Sequence, residues 1–432
     1  MTRRLPPAML SAALLAAMSG TALAVDVDYQ VGASALRSDN IALSEDDATS
    51  ETVLSPQFRF EAEQNSSTLQ MLARGNVEYL HYAEGSFDDE VRGELAATLN
   101  WTLLPKRLDF VVRDYLNREP INVLTGFSPG NQQEVNVFIA GPTFYSRFSE
   151  STLGQLDLRY GNSYAEENKN FDGDRYNVAA RVLRDIDAVS TVSINAEATK
   201  VDYDEAGSST DYTRYDAYVG YTRTLASVDL GIDLGYAQVR LRDSEHESEP
   251  TARLNLGWRV SPRSEIDANL DYEFGDATQN TITRADIPGG TIINDFSNAD
   301  VVIGPGVFRL RRLDLGYKYQ GERIDLQFRP YYQRFEYLDD TNPDQISHGG
   351  ALEIGYLLRP LTRLSLLAAH ERREFDQLSR EDKDLAIYLS LVNQITRHWS
   401  WQVDLQHRER DSTDAGMSYD ENAIIFAVNY RR

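Results

Sequence analysis

Apolar and polar residues alternate along most of this chain with a period of two. At Ser264–Phe274 the apolar positions are Ile266, Ala268, Leu270, Tyr272 and Phe274, and Glu265, Asp267, Asn269, Asp271 and Glu273 fall between them. Val27, Tyr29, Val31, Ala33 and Ala35 alternate in the same way with Asp28, Gln30, Gly32 and Ser34. Successive side chains of a strand point to opposite faces, so such a segment reads as a strand with one apolar and one wet face. About twenty segments share the pattern, beginning near residues 25, 52, 67, 90, 107, 133, 152, 174, 189, 212, 227, 251, 264, 307, 323, 349, 363, 384, 398 and 421. Most run for 10–15 residues. Globular strands run about 5–6 residues, whereas a tilted strand needs about 9–11 to cross hydrocarbon.

The connections alternate between long and short. The long ones include Asp39–Glu51, Glu119–Gln132, Asp243–Pro250, Gly275–Gly306 and Arg410–Asp420. The short ones include Asn65-Ser66, Leu104-Pro105-Lys106, Ser261-Pro262-Arg263, Gly321-Glu322 and Arg359-Pro360-Leu361-Thr362. Outer-membrane barrels have this asymmetry of short periplasmic turns and long extracellular loops. The expected fold is therefore all-β, an antiparallel transmembrane β-barrel of about twenty strands, with eighteen as the alternative.

On the polar phase the expected lumen-lining residues are Arg59, Arg74, Arg92, Arg175, Arg181, Arg214, Arg253 and Arg329, with Glu61, Glu94, Asp157, Asp229, Asp233, Asp267, Asp271 and Asp325. Glu78, Glu197, Asp216, Glu353 and Asp404 fall on the same phase, so acidic residues outnumber basic ones there, which favours cations or neutral polar solutes. A ring this wide is expected to hold water in much of its bore. Phe138, Tyr218, Tyr331 and Tyr388 offer interior rings for sugar stacking, or steric filling at strand ends. Trp101, Trp258, Trp399 and Trp401 all fall beside short turns and form the expected periplasmic girdle, while Tyr79, Tyr164, Tyr203, Tyr236, Tyr272 and Tyr337 lie near the long loops. The Gly275–Gly306 insertion either folds inward as a constriction or stays on the surface.

At the N-terminus, Arg3 and Arg4 precede an apolar stretch from Met9 to Met18, and Thr21-Ala22-Leu23-Ala24 ends in small residues. The expectation is a signal peptide over 1–24, cut after Ala24, and a single barrel over 25–432. Outside this stretch no run approaches the length of a membrane helix, which excludes a helical transporter. With 43 Lys+Arg against 67 Asp+Glu the net charge is −24, which argues against nucleic acid as a partner. The chain has no Cys, so disulfides, thiolate metal sites and Cys nucleophiles are excluded.

The six His are the candidate catalytic bases. Five residues separate Ser365 from His370, which puts them on opposite strand faces, and His348 follows Ser347 near a loop. No Gly-x-Ser-x-Gly elbow occurs. The expectation is no enzyme, no cofactor and no metal, with an outer-membrane hydrolase as a remote alternative.

Ser38-Asp39-Asn40-Ile41 directly after the first strand, and Asn131-Gln132-Gln133 leading to Gly141-Pro142, carry a resemblance. The chain resembles Gram-negative outer-membrane barrels of the beta-barrel porin 2 type, which are associated with exopolysaccharide biosynthesis. The resemblance implies a porin-like channel for hydrophilic solutes, with polysaccharide export as a role, and brings no catalytic residues. It also implies outer-membrane lipid, lipopolysaccharide, the outer-membrane assembly machinery and a polysaccharide as partners. A scaffold barrel with a blocked lumen is the alternative. At the far end Phe426, Val428 and Tyr430 alternate but Arg431-Arg432 follow, a departure from the terminal aromatic that the assembly machinery reads.

Overall fold

The computed structural model describes residues 25–204, 211–242, 246–285, 302–339 and 342–432. The signal peptide expected over 1–24 lies outside them, as do residues 286–301 of the long insertion. The strands are β1 (Asp26–Ser38), β2 (Glu51–Asn65), β3 (Leu69–Tyr82), β4 (Glu90–Leu104), β5 (Leu108–Pro120), β6 (Gln132–Ser149), β7 (Thr152–Ala165), β8 (Gly173–Asp185), β9 (Ser190–Tyr203) and β10 (Tyr212–Thr224). They continue with β11 (Val228–Leu241), β12 (His246–Ser261), β13 (Ser264–Asp276), β14 (Val307–Gln320), β15 (Ile324–Tyr337), β16 (Gln345–Arg359), β17 (Thr362–Phe375), β18 (Arg380–Gln394), β19 (Trp399–Ser412) and β20 (Tyr419–Arg431). One helix, α1 (Ala277–Ala285), follows β13.

Each strand pairs antiparallel with its sequence neighbours, and β1 also pairs with β20, from Gln30↔Arg431 to Ser38↔Ala423. The twenty-stranded sheet is thus closed. In lipid an open edge would leave N–H and C=O groups unpaired at several kcal/mol each, and closure removes that cost. The expected starts of β12, β16 and β18 near 251, 349 and 384 are corrected to His246, Gln345 and Arg380. These extra strand residues are mostly polar and stand above the apolar band, where main-chain pairing continues without alternation. For the same reason most of the long connection expected at Asp243–Pro250 is strand.

Large apolar side chains such as Ile194, Leu234 and Phe426 are exposed on the outer face. Trp101, Trp258 and Trp399 are 51%, 43% and 47% exposed at the short-turn end, on this same outer phase, and Trp401 is half-buried beside them. At the other end Tyr79 and Tyr236 are exposed on the outside. Tyr203 and Tyr337, expected near the same interface, instead turn into the bore, where each packs in an apolar cluster.

The Ser38-Asp39-Asn40-Ile41 motif seals the β1–β20 junction. Ser38 Oγ donates to Glu421 at 2.6 Å, and Asp39 accepts both the main-chain and side-chain N–H of Asn422. Asn40 Nδ2 donates to the carbonyls of Ser44 and Asp420, and Ile41 is buried against Val53, Leu80 and Tyr82. At Gly141-Pro142 the β6–β7 pairing is interrupted between Ala140↔Tyr160 and Thr143↔Asp157 with the register unchanged. A Cβ at Gly141 would collide with the Leu158 carbonyl, so only glycine fits this close approach of the two strands.

Two hairpins depart from the cylinder. Pairing between β4 and β5 stops at Leu95↔Leu116, leaving Glu90–Glu94 and Asn117–Pro120 without each other as partners. Pairing between β12 and β13 stops at Ala252↔Tyr272 in the same way. Above these points the tops of β5–β6 and β13–β14 turn into the bore. Side chains on their outer phase are consequently buried: Asp114, Asn136, Phe274 and Val307 are each 4% exposed or less. Arg118, on the outer phase of β5, reaches Glu90 on the inner phase of β4 at 2.9 Å. Arg309, on the outer phase of β14, reaches Glu247 and Glu249 of β12 at 3.0 and 3.1 Å. The two departures lie eight strands apart and are built alike.

Candidate functional site

The inturned hairpins meet inside the bore. Val135, Val137 and Ile139 of β6 join Phe308 and Leu310 of β14, Phe335 and Tyr337 of β15, and Ala277 and Ile282 of α1 in one apolar cluster. Phe308 contacts Phe335 edge-on with centroids 5.1 Å apart. On the far side of β13–β14, Phe274 and Val307 pack on Val201, Tyr203, Tyr212, Ala237 and Val239 of the barrel wall. The expectation of a water-filled bore therefore does not hold at the long-loop end. Backbone hairpins fill a space too wide for side chains alone.

The described part of the Gly275–Gly306 insertion folds inward. α1 follows Asp276, which is fully buried, accepts the Gln279 N–H at 2.8 Å and forms an ion pair with Arg175 at 2.6 Å. Tyr212 Oη also donates to Asp276. Arg214 Nη1 donates to Gln279 Oε1 and to the Phe274 carbonyl, both at 2.8 Å, while its Nε is held by Asp216. Gln279 Nε2 reaches Glu273 at 3.1 Å. Wall residues from β8 and β10 thus hold the helix across the bore.

The segment 121–131, a long connection by its sequence, forms a second cap. Asn131 organises it, accepting the Asn122 N–H and donating to the carbonyls of Asn122 and Gly126. Gln133, fully buried, accepts the N–H groups of Glu167 and Asn168. Asn168 Nδ2 then bridges the carbonyls of Ile121 and Ile303, joining the two caps at 3.0 and 3.1 Å. The tip crosses to the opposite wall, where Arg380 Nη2 donates to the Leu124 carbonyl at 2.5 Å and Gly126 lies against Tyr419 and Leu43. The receiving wall is a buried ion-pair knot: Arg380–Asp382, Arg373–Asp384, Arg410–Asp384 and Arg408–Glu421, at 2.6–2.8 Å. The Asn131-Gln132-Gln133 signal was visible in sequence, but its target on β18 was not.

All sixteen residues expected in the lumen stand on the strand phase opposite the exposed apolar side chains. Arg74 pairs with Glu61 at 2.8 Å, Asp325 with Arg363 at 2.6 Å and Asp229 with Arg259 at 3.8 Å. Arg92 pairs with Glu90, and Arg59 and Glu94 both lie opposite Asn76. Asp267, Asp271 and Arg329 occupy the inner phase of β13 and β15. The structure brings Asp157, Arg175, Arg181, Arg214 and Arg253 together beneath α1, around a cavity of about 520 Å³. Arg113, Arg159 and Glu197 complete its charged lining, so six guanidinium groups face two carboxylates there. The acidic bore expected from the residue count gives way locally to a basic chamber. Phe138, expected inside, occupies the phase opposite Val137 and Ile139, whereas Tyr218 lies under Arg253 with 5.4 Å between charge and ring.

Fold and bore together define an outer-membrane β-barrel of Gram-negative type with its long-loop end closed by inturned hairpins. A family model described as surface lipoprotein assembly modifier matches residues 309–431, from β14 to β20 and less than half of the chain. No curated protein sequence matches. Among solved structures, the ferric enterobactin receptor PfeA of Pseudomonas aeruginosa is similar at 8% identity, over 94% of this chain and 80% of that chain, with a TM-score of 0.46. The FrpB iron transporter of Neisseria meningitidis is similar at 9% identity, over 94% and 83%, with a TM-score of 0.45. The copper transporter OprC is similar at 11% identity, over 94% and 80%, with a TM-score of 0.46.

Proposed function

We propose that this protein is a gated outer-membrane channel for hydrophilic solutes, synthesised with a signal peptide cut after Ala24 and acting without a covalent step. The observation that supports the reading is how the caps are held. Segment 121–131 and α1 meet the wall through side-chain hydrogen bonds, ion pairs and one apolar cluster, not through main-chain strand pairing. Contacts of that kind can be exchanged without unzipping the barrel. The resemblance to exopolysaccharide-associated barrels supports a polymer as cargo.

Planar-bilayer recording tests the reading. The intact protein should stay mostly closed, and replacement of residues 277–303 by a short Gly/Ser linker should give long-lived open steps. An inserted, folded deletion protein that never conducts would leave the scaffold reading in its place. A second reading follows from the family similarity: the barrel assists surface lipoprotein assembly. The matched β14–β20 wall carries Arg380 and Tyr419, which receive the tip of segment 121–131. Surface display of lipoproteins in a deletion strain would separate the two readings.

A further inference from the structure

We propose that the chamber beneath α1 binds an acidic sugar, a pyranose-sized solute carrying a carboxylate. The proposal rests on the channel reading for delivery of the ligand and gives it a solute class. The cavity of about 520 Å³ falls in the range of small-molecule sites. Arg113, Arg159, Arg175, Arg181, Arg214 and Arg253 line it. The carboxylates that hold three of them, Asp276, Asp216 and Glu273, are not part of the lining, so the chamber is presented with guanidinium groups more than with acid. Arg159 and Arg181 share Asp157, and Arg159 is further fixed on the Pro142 and Leu158 carbonyls. Such forks are held in place before a ligand arrives, and a planar guanidinium matches a planar carboxylate in two parallel hydrogen bonds.

The rest of the lining suits the remainder of a sugar. Thr143, Gln155, Asn177 and Thr199, which bond one another, Asp157, Arg159 and Glu197, add hydroxyl and amide groups to the lining, and Val111, Ile139 and the Tyr145 ring add apolar surface. Gln279 and Ile282 of α1 also line the chamber, so the occupant would touch the cap itself. In a chain of net charge −24 this basic pocket gives an anion a local minimum on an otherwise repelling path.

Titration calorimetry of the full-length protein in detergent, with glucuronate, glucose and inorganic phosphate as probes, tests the proposal. Glucuronate should bind at least about tenfold more tightly than glucose or phosphate, and Arg159→Gln or Arg181→Gln should weaken it about tenfold. Tyr145→Leu, which removes a ring and no ion pair, should weaken glucuronate and leave phosphate unchanged. If the Arg variants do not fold, Tyr145→Leu carries the test. Equal binding of glucuronate and glucose, or unchanged binding in the variants, overturns the site. Phosphate binding as tightly as glucuronate overturns the sugar. Because binding is read without transport, a protein that binds but never conducts would refute the channel reading alone.

Discussion

Leu124 is carried across the bore on the segment between β5 and β6, and the Arg380 guanidinium of β18 donates to its carbonyl at 2.5 Å. The same guanidinium is fixed by two bonds to Asp382, at 2.9 and 2.8 Å. Arg380→Gln should therefore free the tip and raise the open fraction in bilayer recordings. It also leaves Asp382, which is fully buried, with Ser412 Oγ as a remaining donor. Loss of one partner from such a buried pair costs about 3–5 kcal/mol, so thermal unfolding should fall as well. A lowered melting temperature with unaltered gating would refute the latch.

The absence of Cys makes a cross-link test clean. A Cβ at Gly126 would stand 3.2 Å from Leu43 Cβ, close to the separation of about 3.5–4.5 Å found in disulfides. The double variant Gly126→Cys with Leu43→Cys should oxidise spontaneously, hold the channel shut and reopen with reductant. Mass spectrometry gives the bond and conductance gives its effect.

Asp276→Asn tests the other cap. The substitution keeps the shape but removes the charge opposite Arg175, whose side chain is mostly buried. The expected outcome is a helix released from the wall and a stability loss of about 3–5 kcal/mol. Hydrogen exchange over 277–285 should rise well before the strands exchange. Uniform exchange across the barrel would mean that the pair holds the whole fold instead.

Asp89 gives an acid-sensitive contact outside the membrane. It is bonded foremost to His81 Nδ1, and it accepts from Tyr79 Oη and the Tyr82 N–H. These bonds hold its carboxyl at about 2, below the ordinary 3.8. A depressed carboxyl pKa contributes stability that is full above the unfolded value and is lost as pH falls through the folded one. The β3–β4 connection should therefore loosen between about pH 4 and 2, read as a rise in proteolysis at 83–89 by an acid protease, and Asp89→Asn should remove that step.

Strand count, strand phase and most of the long and short connections, Asp243–Pro250 excepted, were legible in the sequence because a pleat of period two and a lipid exterior dictate them residue by residue. Val77, Tyr79 and Val91 stand on the exposed outer phase that the alternation assigns them. The inturned hairpins were not legible, because alternation reports a residue's face and says nothing of what that face meets. Arg118 and Arg309 follow the outer phase of their strands, and only the end of pairing at Leu95↔Leu116 and Ala252↔Tyr272 turns them onto carboxylates. The basic chamber was hidden for a related reason. A count of charges over the polar phase averages over the bore, whereas the arginines of β5, β7, β8, β10 and β12 converge at one place.

The two places where pairing ends have a mechanical consequence. The panel from β5 to β12 is stitched to its neighbours by main-chain pairing along the periplasmic half and held by side chains above it, Arg118 on Glu90 and Arg309 on Glu247 and Glu249, so it can splay like a collar opened at two buttonholes once those pairs are exchanged. Force on such a collar comes from the outer leaflet. Lateral pressure of the lipopolysaccharide layer would bear directly on the hairpins that stopper the bore, coupling passage through the wall to the state of the surface around it.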